Sequence, residues 1–114
     1  MGTLAKIDSV IIRKDTDAPI QLDYDLLRKA VLVLRAVNHK LRQSIVELLE
    51  EHQRLTVTEI YVKLRLEQSV ASQHLAILRR AGVVITEREG KYIFYSLSHD
   101  RIDEIAQLVE ELAR

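Results

Sequence analysis

The sequence predicts a mainly α-helical domain with a single β-hairpin near its C-terminal end, and three observations support this fold class. First, apolar residues recur at helical spacing in four segments, which are 23–37, 39–52, 68–81 and 98–113. Second, Gly82 directly follows the third of these segments, as expected of a helix that ends in a left-handed residue. Third, β-branched and aromatic residues lie on both sides of a Glu89-Gly90 turn in residues 83–97.

The composition limits the class of protein. The 114 residues, of which 47% are hydrophobic, are enough for one domain with a single core. The absence of cysteine excludes disulfides and thiolate metal sites. The sequence has neither an apolar run of about 18 residues, the length of a membrane span, nor a signal peptide, so we expect a cytoplasmic protein. With three glycines and no nucleophile–base or phosphate-loop motif, we expect neither an enzyme nor a cofactor.

Charge is unevenly distributed along the chain although the net charge is zero. Residues 52–97 carry seven basic and four acidic side chains, a net charge of +3. Residues 98–114 carry two basic and five acidic side chains, a net charge of −3. The central part is therefore mildly basic, which favours an anionic partner without the strong basic excess of many nucleic-acid binders.

The N-terminal segment, residues 1–21, is predicted to be an arm that precedes a domain of residues 22–114. A short strand is expected at residues 9–13. A turn is expected from Asp15 to Pro19, because Asp bonds its own backbone and Pro fixes φ. We expect this arm to pack on a partner.

The first two helices differ in how their apolar residues are arranged. The first, 23–37, begins near Asp23 or Asp25 and is apolar on all sides, so it must be buried on more than one side. A second subunit would achieve this, and a central core helix of a monomer is the alternative. The second helix, 39–52, is predicted to be capped by Asn38. Its apolar stripe consists of Leu41, Ile45, Leu48, Leu49 and His52.

A short helix with a strong start signal follows. Thr56 is its predicted N-cap, and Glu59 three residues later completes a capping box. Leu55 and Ile60 are placed to form a hydrophobic staple across this start. The helix ends near Leu64, and the next three residues are the turn into the third long helix. A short helix, a tight turn and a second helix form a helix-turn-helix.

The helix of residues 68–81 has two distinct faces. One face is polar and basic and consists of Gln68, Ser69, Ser72, Gln73, Ala76, Arg79 and Arg80. The other is almost wholly apolar and consists of Val70, Ala71, His74, Leu75, Ile77, Leu78 and Ala81. The major groove of DNA admits one α-helix and offers donors and acceptors to Ser, Gln and Arg side chains. The segment is therefore a candidate recognition helix, and a solvated face of an ordinary amphipathic helix is the alternative.

The hairpin would follow this helix directly, with residues 84–96 as a wing. Arg88 and Lys91 flank its tip, where they could reach backbone phosphates or the adjacent minor groove. Glu87 and Glu89 oppose this role, and a plain two-stranded edge is the alternative.

The last helix, 98–113, is predicted to start at Ser98 as its N-cap. Its acidic residues crowd the first turns, which suits the helix dipole. One clean apolar stripe consists of Ile102, Ile105, Ala106, Val109, Leu112 and Ala113. This stripe could close the core or pair with another helix.

From Ser72 to Val84 the chain resembles the ArsR/SmtB family of bacterial winged-helix repressors. The family pattern is Ser-x-His-Leu-x-x-Leu-Arg-x-Ala-Gly-Leu-Val, and this chain differs only in having Val83 at the penultimate position. The segment 41–49 is similar to the family's second helix, and the hairpin with its Arg88-Glu89-Gly90-Lys91 tip is similar to its wing. The resemblance covers about residues 24–112.

The resemblance implies a DNA-binding transcriptional regulator, which we expect to be a repressor, acting as a homodimer on double-stranded DNA. Two recognition helices would enter successive major grooves of a near-palindromic operator, roughly 34–36 Å apart. The dimer would be joined through the first and last helices, with predicted contacts from Leu27, Val31, Leu34, Ile105, Val109 and Leu112. The predicted DNA-binding residues are Gln68, Ser69, Ser72, Gln73, Arg79, Arg80, Arg88 and Lys91, with Lys40 or Arg42 as further phosphate contacts.

Two departures from the family pattern concern ligands and capping. Metal-sensing members carry a cysteine box before the recognition helix or paired ligands in the last helix, and neither is present here. His99 and Asp103 would make at most half a site, so we predict no metal site. Glu67 stands where the family usually has a Ser cap.

Three questions stay open at the level of sequence. His74 lies with the core residues and is interpreted as a packed histidine bonded to backbone, with a DNA contact as the alternative. A small-molecule effector would bind in a pocket of ordinary apolar side chains, which has no sequence signature. The alternative function is a winged-helix protein-interaction module that does not bind DNA, which the modest net charge favours.

Overall fold

The computed structural model describes residues 9–12 and 15–114. The chain divides at residue 32 into two compact units, and α1 runs through the division. The elements in chain order are β1 (Ser9–Ile12), β2 (Ile20–Asp23), α1 (Tyr24–Val37), α2 (Lys40–His52), β3 (Leu55–Thr56), α3 (Val57–Leu64), α4 (Gln68–Arg80), β4 (Val84–Glu89), β5 (Tyr92–Leu97) and α5 (His99–Leu112). No helix in the described part of the chain is long and apolar enough to cross a membrane.

In the first unit, β1 and β2 pair as an antiparallel hairpin with two unlike faces. Its apolar face consists of the cross-strand neighbours Val10, Leu22, Ile12 and Ile20. On the opposite face the Gln21 amide donates to Ser9 Oγ at 3.2 Å. The predicted strand is confirmed at Ser9–Ile12 and the predicted turn at residues 15–18, whereas Arg13 lies outside the described residues.

Helix α1 begins directly after the hairpin. Asp23 Oδ1 accepts hydrogen bonds from the backbone N–H groups of Asp25 and Leu26, both at 3.1 Å, which confirms the predicted start. Of its 14 residues only Val33 and Ala36 are buried. Five large apolar residues of this helix are exposed in a single copy of the chain, which are Tyr24, Leu26, Leu27, Val31 and Leu32.

The core of the second unit lies between α2, α3, α4 and the sheet. Its buried members are Val33, Ala36, Ile45, Leu49, Leu55, Ile60, Leu75, Leu78, Ala81, Val83, Val84 and Leu97. From α5, Ile102 and Ile105 pack at the edge of this core, but no residue of that helix is buried. In α2, His52 is exposed at the C-terminal end, so the prediction that it belongs to the apolar stripe is wrong.

The second unit contains a three-stranded antiparallel sheet in the order β3-β5-β4. The predicted hairpin is confirmed, with Val84 paired to Leu97 and Glu89 paired to Tyr92. The third strand was not predicted, because two residues are too few to show an alternating pattern. Strand β3 ends at the N-cap of α3, so the sheet joins the wing to the start of the helix-turn-helix.

Helix starts and turns follow the predicted chemistry with one exception. Thr56 and Glu59 form the predicted capping box of α3, and Ser98 caps α5 through the N–H of Arg101. The cap of α2, however, is His39 and not Asn38, because His39 Nδ1 accepts from the backbone N–H of Leu41 at 3.1 Å.

Candidate nucleic-acid interface

A left-handed residue makes the turn between α3 and α4. Arg65 has φ of 56°, and the N–H of Leu66 donates to the carbonyl of Tyr61 at 2.9 Å. A non-glycine residue in this conformation costs about 1–3 kcal/mol, which the surrounding contacts must offset. This turn lets α4 begin at Gln68, so the two helices of the motif are separated by three residues.

Helix α4 presents its polar face to solvent. The exposed residues on this face are Gln68, Ser69, Ser72, Gln73, Ala76, Arg79 and Arg80. On the opposite side Ala71, Leu75 and Leu78 are buried. The predicted division of the helix is confirmed. Two guanidinium groups and no carboxylate lie on the outer face, which suits an anionic partner with acceptor groups.

The N-cap of α4 is Glu67, whose side chain makes no capping hydrogen bond. Its backbone is extended, with φ of −73° and ψ of 148°, and its carbonyl accepts from the N–H of Ala71 at 3.1 Å. The departure from the family's Ser at this position therefore leaves α4 without a side-chain cap.

The C-terminal end of α4 is fixed against α5 at a glycine. Gly82 has φ of 80°, and a Cβ added there would lie 3.1 Å from Arg101 Nε of α5. The next residue, Val83, donates its N–H to Leu78 O and accepts from the N–H of Ser98 at 2.9 Å. Gly82 is thus favoured by its left-handed conformation, as predicted, and a Cβ there would also crowd the guanidinium of Arg101.

The acidic residues of the wing are paired with a cation from outside the wing. Arg54, between α2 and β3, donates to Glu89 Oε2 at 2.6 Å and lies 3.8 Å from Glu87 Oε1. Its guanidinium carbon lies 3.7 Å from the centre of the Phe94 ring, which belongs to β5. Glu87 and Glu89 were predicted to oppose DNA binding, but this pairing neutralises part of their charge.

The pairing also shifts the pKa values of Arg54 and Glu89. The hydrogen bond from Arg54 lowers the pKa of Glu89, and the same bond raises the pKa of Arg54. Both groups are exposed, so the contribution of the pair to stability is small. Its effect is on the position of the wing, because Arg54 connects β4 and β5 to the segment before α3.

Arg88 and Lys91 remain available at the wing tip. Arg88 alternates with Glu87 and Glu89 along β4, so its side chain lies on the opposite face of the strand from the pair with Arg54. Lys91 follows Gly90, which turns with φ of 62°, and its Nζ lies 5.4 Å from the centre of the Tyr92 ring. Both cationic side chains are exposed.

His74 lies on the inner side of α4 and is half-buried. Its Nδ1 is 3.2 Å from Arg42 Nη1, and its ring centre is 4.8 Å from that of His39. The interpretation of His74 as a packed residue is confirmed, but its partner is a side chain and not backbone. Arg42, a candidate phosphate contact from the sequence, instead uses its guanidinium within the protein.

Sequence reasoning missed Arg42 and Arg54 as organising residues. The partners of Arg54 lie about 35 residues away in the chain, and no local pattern connects them. The available signal was the pair of carboxylates at Glu87 and Glu89, which lie on one face of a strand and favour a nearby cation.

The residues predicted at a dimer interface are accessible on each helix. On α1, Leu27 is 51% and Val31 39% exposed, and Leu34 is half-buried. On α5, Val109 is 45% and Leu112 68% exposed, and Ile105 is half-buried. Each helix thus leaves apolar surface uncovered in a single chain.

Small-ligand and metal sites are the other functional features that the fold could carry. Among residues 9–12 and 15–114 no group of three or more His, Asp or Glu side chains could hold a metal ion. His99 lies 3.5 Å from Glu50 of α2. A groove of about 580 Å³, wide open to solvent, lies between the start of α3 and β5, where Tyr92 and Ile93 line it.

Known proteins match this chain over most of its length. A family model described as bacterial regulatory protein, arsR family, matches residues 39–86. The transcriptional activator HlyU of Vibrio cholerae is 39% identical over 84 residues, which are 74% of this chain and 77% of that protein. The transcriptional repressor PagR of Bacillus anthracis is 33% identical over 92 residues, 81% of this chain and 92% of that protein.

A solved structure shows the same fold. The homodimeric winged helix-turn-helix DNA-binding domain from Mycobacterium bovis matches with a TM-score of 0.66 at 28% identity, over 78% of this chain and 82% of that chain. The fold and the exposed polar face of α4 define a winged helix-turn-helix transcriptional regulator. The chain belongs to the arsR family of bacterial regulatory proteins.

Replacement of Arg54 by alanine is expected to weaken DNA binding, because it frees Glu87 and Glu89 and loosens the wing. We expect a two- to fivefold rise in Kd on all duplexes alike, the size of an exposed charge interaction of roughly 0.5–1 kcal/mol. Fluorescence anisotropy on labelled duplexes measures this change.

The matched control is the pair Glu87→Gln and Glu89→Gln, made in both backgrounds. In the presence of Arg54 these changes should alter Kd little, whereas in the Arg54→Ala protein they should restore binding. Equal gains in both backgrounds would show that Arg54 does not neutralise the wing.

Proposed function

We propose that this regulator binds a near-palindromic operator as a homodimer, with α4 in the major groove and the wing, residues 84–96, on the backbone or in the minor groove. The observation that carries the proposal is the outer face of α4. It is continuous, fully exposed, rich in hydrogen-bonding groups and free of carboxylates, and it directly precedes a wing with two available cations. We place this domain at residues 22–114, after an arm of residues 1–21.

The proposed contacts fall into two groups. Base edges are read by residues near the N-terminal half of α4, with Arg79 as a further guanine contact. These residues are Gln68, Ser69, Ser72 and Gln73. Phosphates are bound by Arg80 at the end of α4 and by Arg88 and Lys91 at the wing tip.

Exposed apolar surface supports the homodimer. Leu27 and Val31 on α1 are exposed neighbours at i, i+4, and Val109 and Leu112 on α5 are exposed neighbours at i, i+3, so each helix presents an apolar pair on its surface. The hairpin of β1 and β2 has one apolar face, and an isolated two-stranded hairpin is marginally stable in water. We infer that a second copy covers these residues, and the similar domain from Mycobacterium bovis is described as homodimeric.

The sign of regulation and the effector are finer parts of the proposal. We propose a repressor, as PagR is by its name, although HlyU is named an activator. Because a bacterial regulator of transcription must reach the chromosome, we propose that this protein is cytoplasmic. We also propose that a small-molecule effector controls the protein. The sign of regulation is tested with a promoter–reporter fusion in cells with and without the gene.

The test of the proposal is anisotropy on two duplexes, one from the region upstream of the regulator's own gene and one of random sequence. At salt concentrations of about 50 and 200 mM we expect tighter binding to the upstream duplex, and a steep loss of affinity with salt. Sedimentation should give the mass of a dimer, alone and with two copies per duplex. If the protein does not prefer the upstream duplex, a selection from random DNA is carried out instead. If this selection enriches no sequence, the alternative function, a protein-interaction module that does not bind DNA, is favoured.

Replacement of Gln73 by alanine is expected to relax sequence preference, because removal of a bidentate hydrogen bond to a base costs about 1–3 kcal/mol on the operator only. Binding to random duplex should stay unchanged. The control is Gln107→Ala, which shortens an exposed glutamine on α5. Equal losses on operator and random DNA for the Gln73 variant would refute its assignment.

Replacement of Lys91 by alanine is expected to weaken binding to every sequence by a similar factor, because an interaction with a phosphate carries no sequence information. The slope of log K against log salt concentration should fall in magnitude by about 0.9 for each phosphate that the variant no longer neutralises. The control Arg114→Ala removes an equal charge beyond α5, where Arg114 pairs with Glu110. An unchanged salt slope in the Lys91 variant would exclude its role at a phosphate.

A further inference from the structure

The last turn of α1 is held by side chains of the next helix. Arg42 Nε donates to the carbonyl of Ala36 at 2.7 Å, and Arg42 Nη2 donates to the carbonyl of Arg35 at 3.2 Å. The other two carbonyl groups of this turn accept from the N–H of Asn38 and the side-chain amide of Gln43. All four carbonyl groups that a helix leaves without a partner at its C-terminal end are therefore satisfied.

The same guanidinium also reaches the recognition helix. Arg42 Nη1 lies 3.2 Å from His74 Nδ1, on the inner side of α4. A guanidinium can only donate, so His74 Nδ1 must accept, which places the ring proton on Nε2 and leaves the ring neutral. Burial, followed by the nearby charges of His39 and Arg42, lowers the pKa of His74, which favours this neutral form.

This hydrogen bond is the directional contact in an otherwise apolar attachment. Ala71, Leu75 and Leu78 hold α4 in the core and determine which face of the helix is turned inward, but apolar burial is non-directional and does not by itself fix the exact rotation. In the described part of the chain, no other side chain of α4 makes a hydrogen bond or ion pair to another element. His74 directly follows Gln73 on the helix, so a contact that fixes the direction of the His74 side chain also constrains the direction of the Gln73 side chain.

We propose that Arg42 is a positioning residue that acts through His74 to fix the rotation of α4 relative to the last turn of α1, and so sets the preference for the operator over other DNA. This inference rests on the proposed function, since α4 must read the operator for its rotation to matter. In a dimer joined through α1, the same hydrogen bonds of Arg42 would also fix the direction of each α4 relative to the last turn of α1.

The first test measures the ratio of Kd on random duplex to Kd on the operator. His74→Leu removes the acceptor at similar size, and we expect the ratio to fall roughly tenfold, as for loss of a hydrogen bond to a charged group. His74→Asn keeps an acceptor near the position of Nδ1 and should retain the ratio. Arg42→Met should lower it as His74→Leu does, and the double variant should be no worse than either single one.

The salt slope and the affinity for random duplex distinguish a positioning role from direct binding of phosphate. For His74→Leu we expect the salt slope and the affinity for random duplex to stay within about twofold of the original. A uniform loss on all duplexes with a smaller salt slope for Arg42→Met would make Arg42 a phosphate-binding residue and overturn the inference. An unchanged ratio in both His74→Leu and Arg42→Met would also overturn it.

A pH series on the unaltered protein is a second test of the inference, and two variants serve as its controls. Below its pKa, which is lower than the usual value of about 6.5, His74 takes a proton on Nδ1 and can no longer accept from Arg42. We expect the ratio to be constant above neutral pH and to fall as the pH is lowered through the pKa of His74. The fall should persist in His39→Asn, which removes the neighbouring imidazole but keeps a capping side chain, and should be absent in His74→Asn.

Failure of the inference and failure of the proposed function give different results. If the unaltered protein prefers no duplex at any salt concentration, the proposed function fails and the positioning role fails with it. If it prefers the operator and the ratio is independent of pH and of both substitutions, only the inference fails. ¹⁵N chemical shifts of the His74 ring, measured without DNA, should show an unprotonated Nδ1. A proton on Nδ1 at neutral pH would directly contradict the hydrogen bond from Arg42.

Discussion

Burial of one side of α4 is the contact on which the second unit depends. Leu75 and Leu78 are almost completely buried, and they pack in one cluster with Ile60 of α3 and Val83 at the start of the sheet. This contact leaves the polar side of the same helix facing outward, so the core and the candidate DNA-binding surface are two sides of one element. Gly82 then turns the chain at once into β4, which places the wing beside the helix.

Arginine has two different roles around this helix. Arg42 and Arg54 each use the planar guanidinium to join elements that are distant in sequence, with carbonyl, imidazole, carboxylate and aromatic partners. Arg80 and Arg88 make no such contacts in the described residues and stay exposed. Counting charges from sequence therefore overestimates the free positive charge, and it also overestimates the free negative charge, because Arg54 occupies the acidic residues of the wing.

The parts of the fold that depend on near neighbours could be predicted from the sequence. The capping box at Thr56 and the left-handed Gly82 follow from local chemistry, and the two faces of α4 follow from the helical period. What could not be predicted depends on long-range contacts or on competition between adjacent residues. Arg42 meets His74 across 32 residues, and His39 displaced Asn38 as a cap because its ring nitrogen reaches Leu41 N–H.

The contrast between a well-packed centre and exposed outer helices has a consequence for regulation. Only two residues of α1 and none of α5 are buried in one chain, so much of the apolar surface of these helices is uncovered in a single copy. In the homodimer that we propose, association and the ordering of both helices are one process, and stability then depends on protein concentration. Because Arg42 ties the last turn of α1 to α4, we expect a change at the proposed subunit interface to reach the outer face of α4 through this side chain as well as through the shared core. Such a short connection is how a small shift between subunits could change operator binding without rearranging the core.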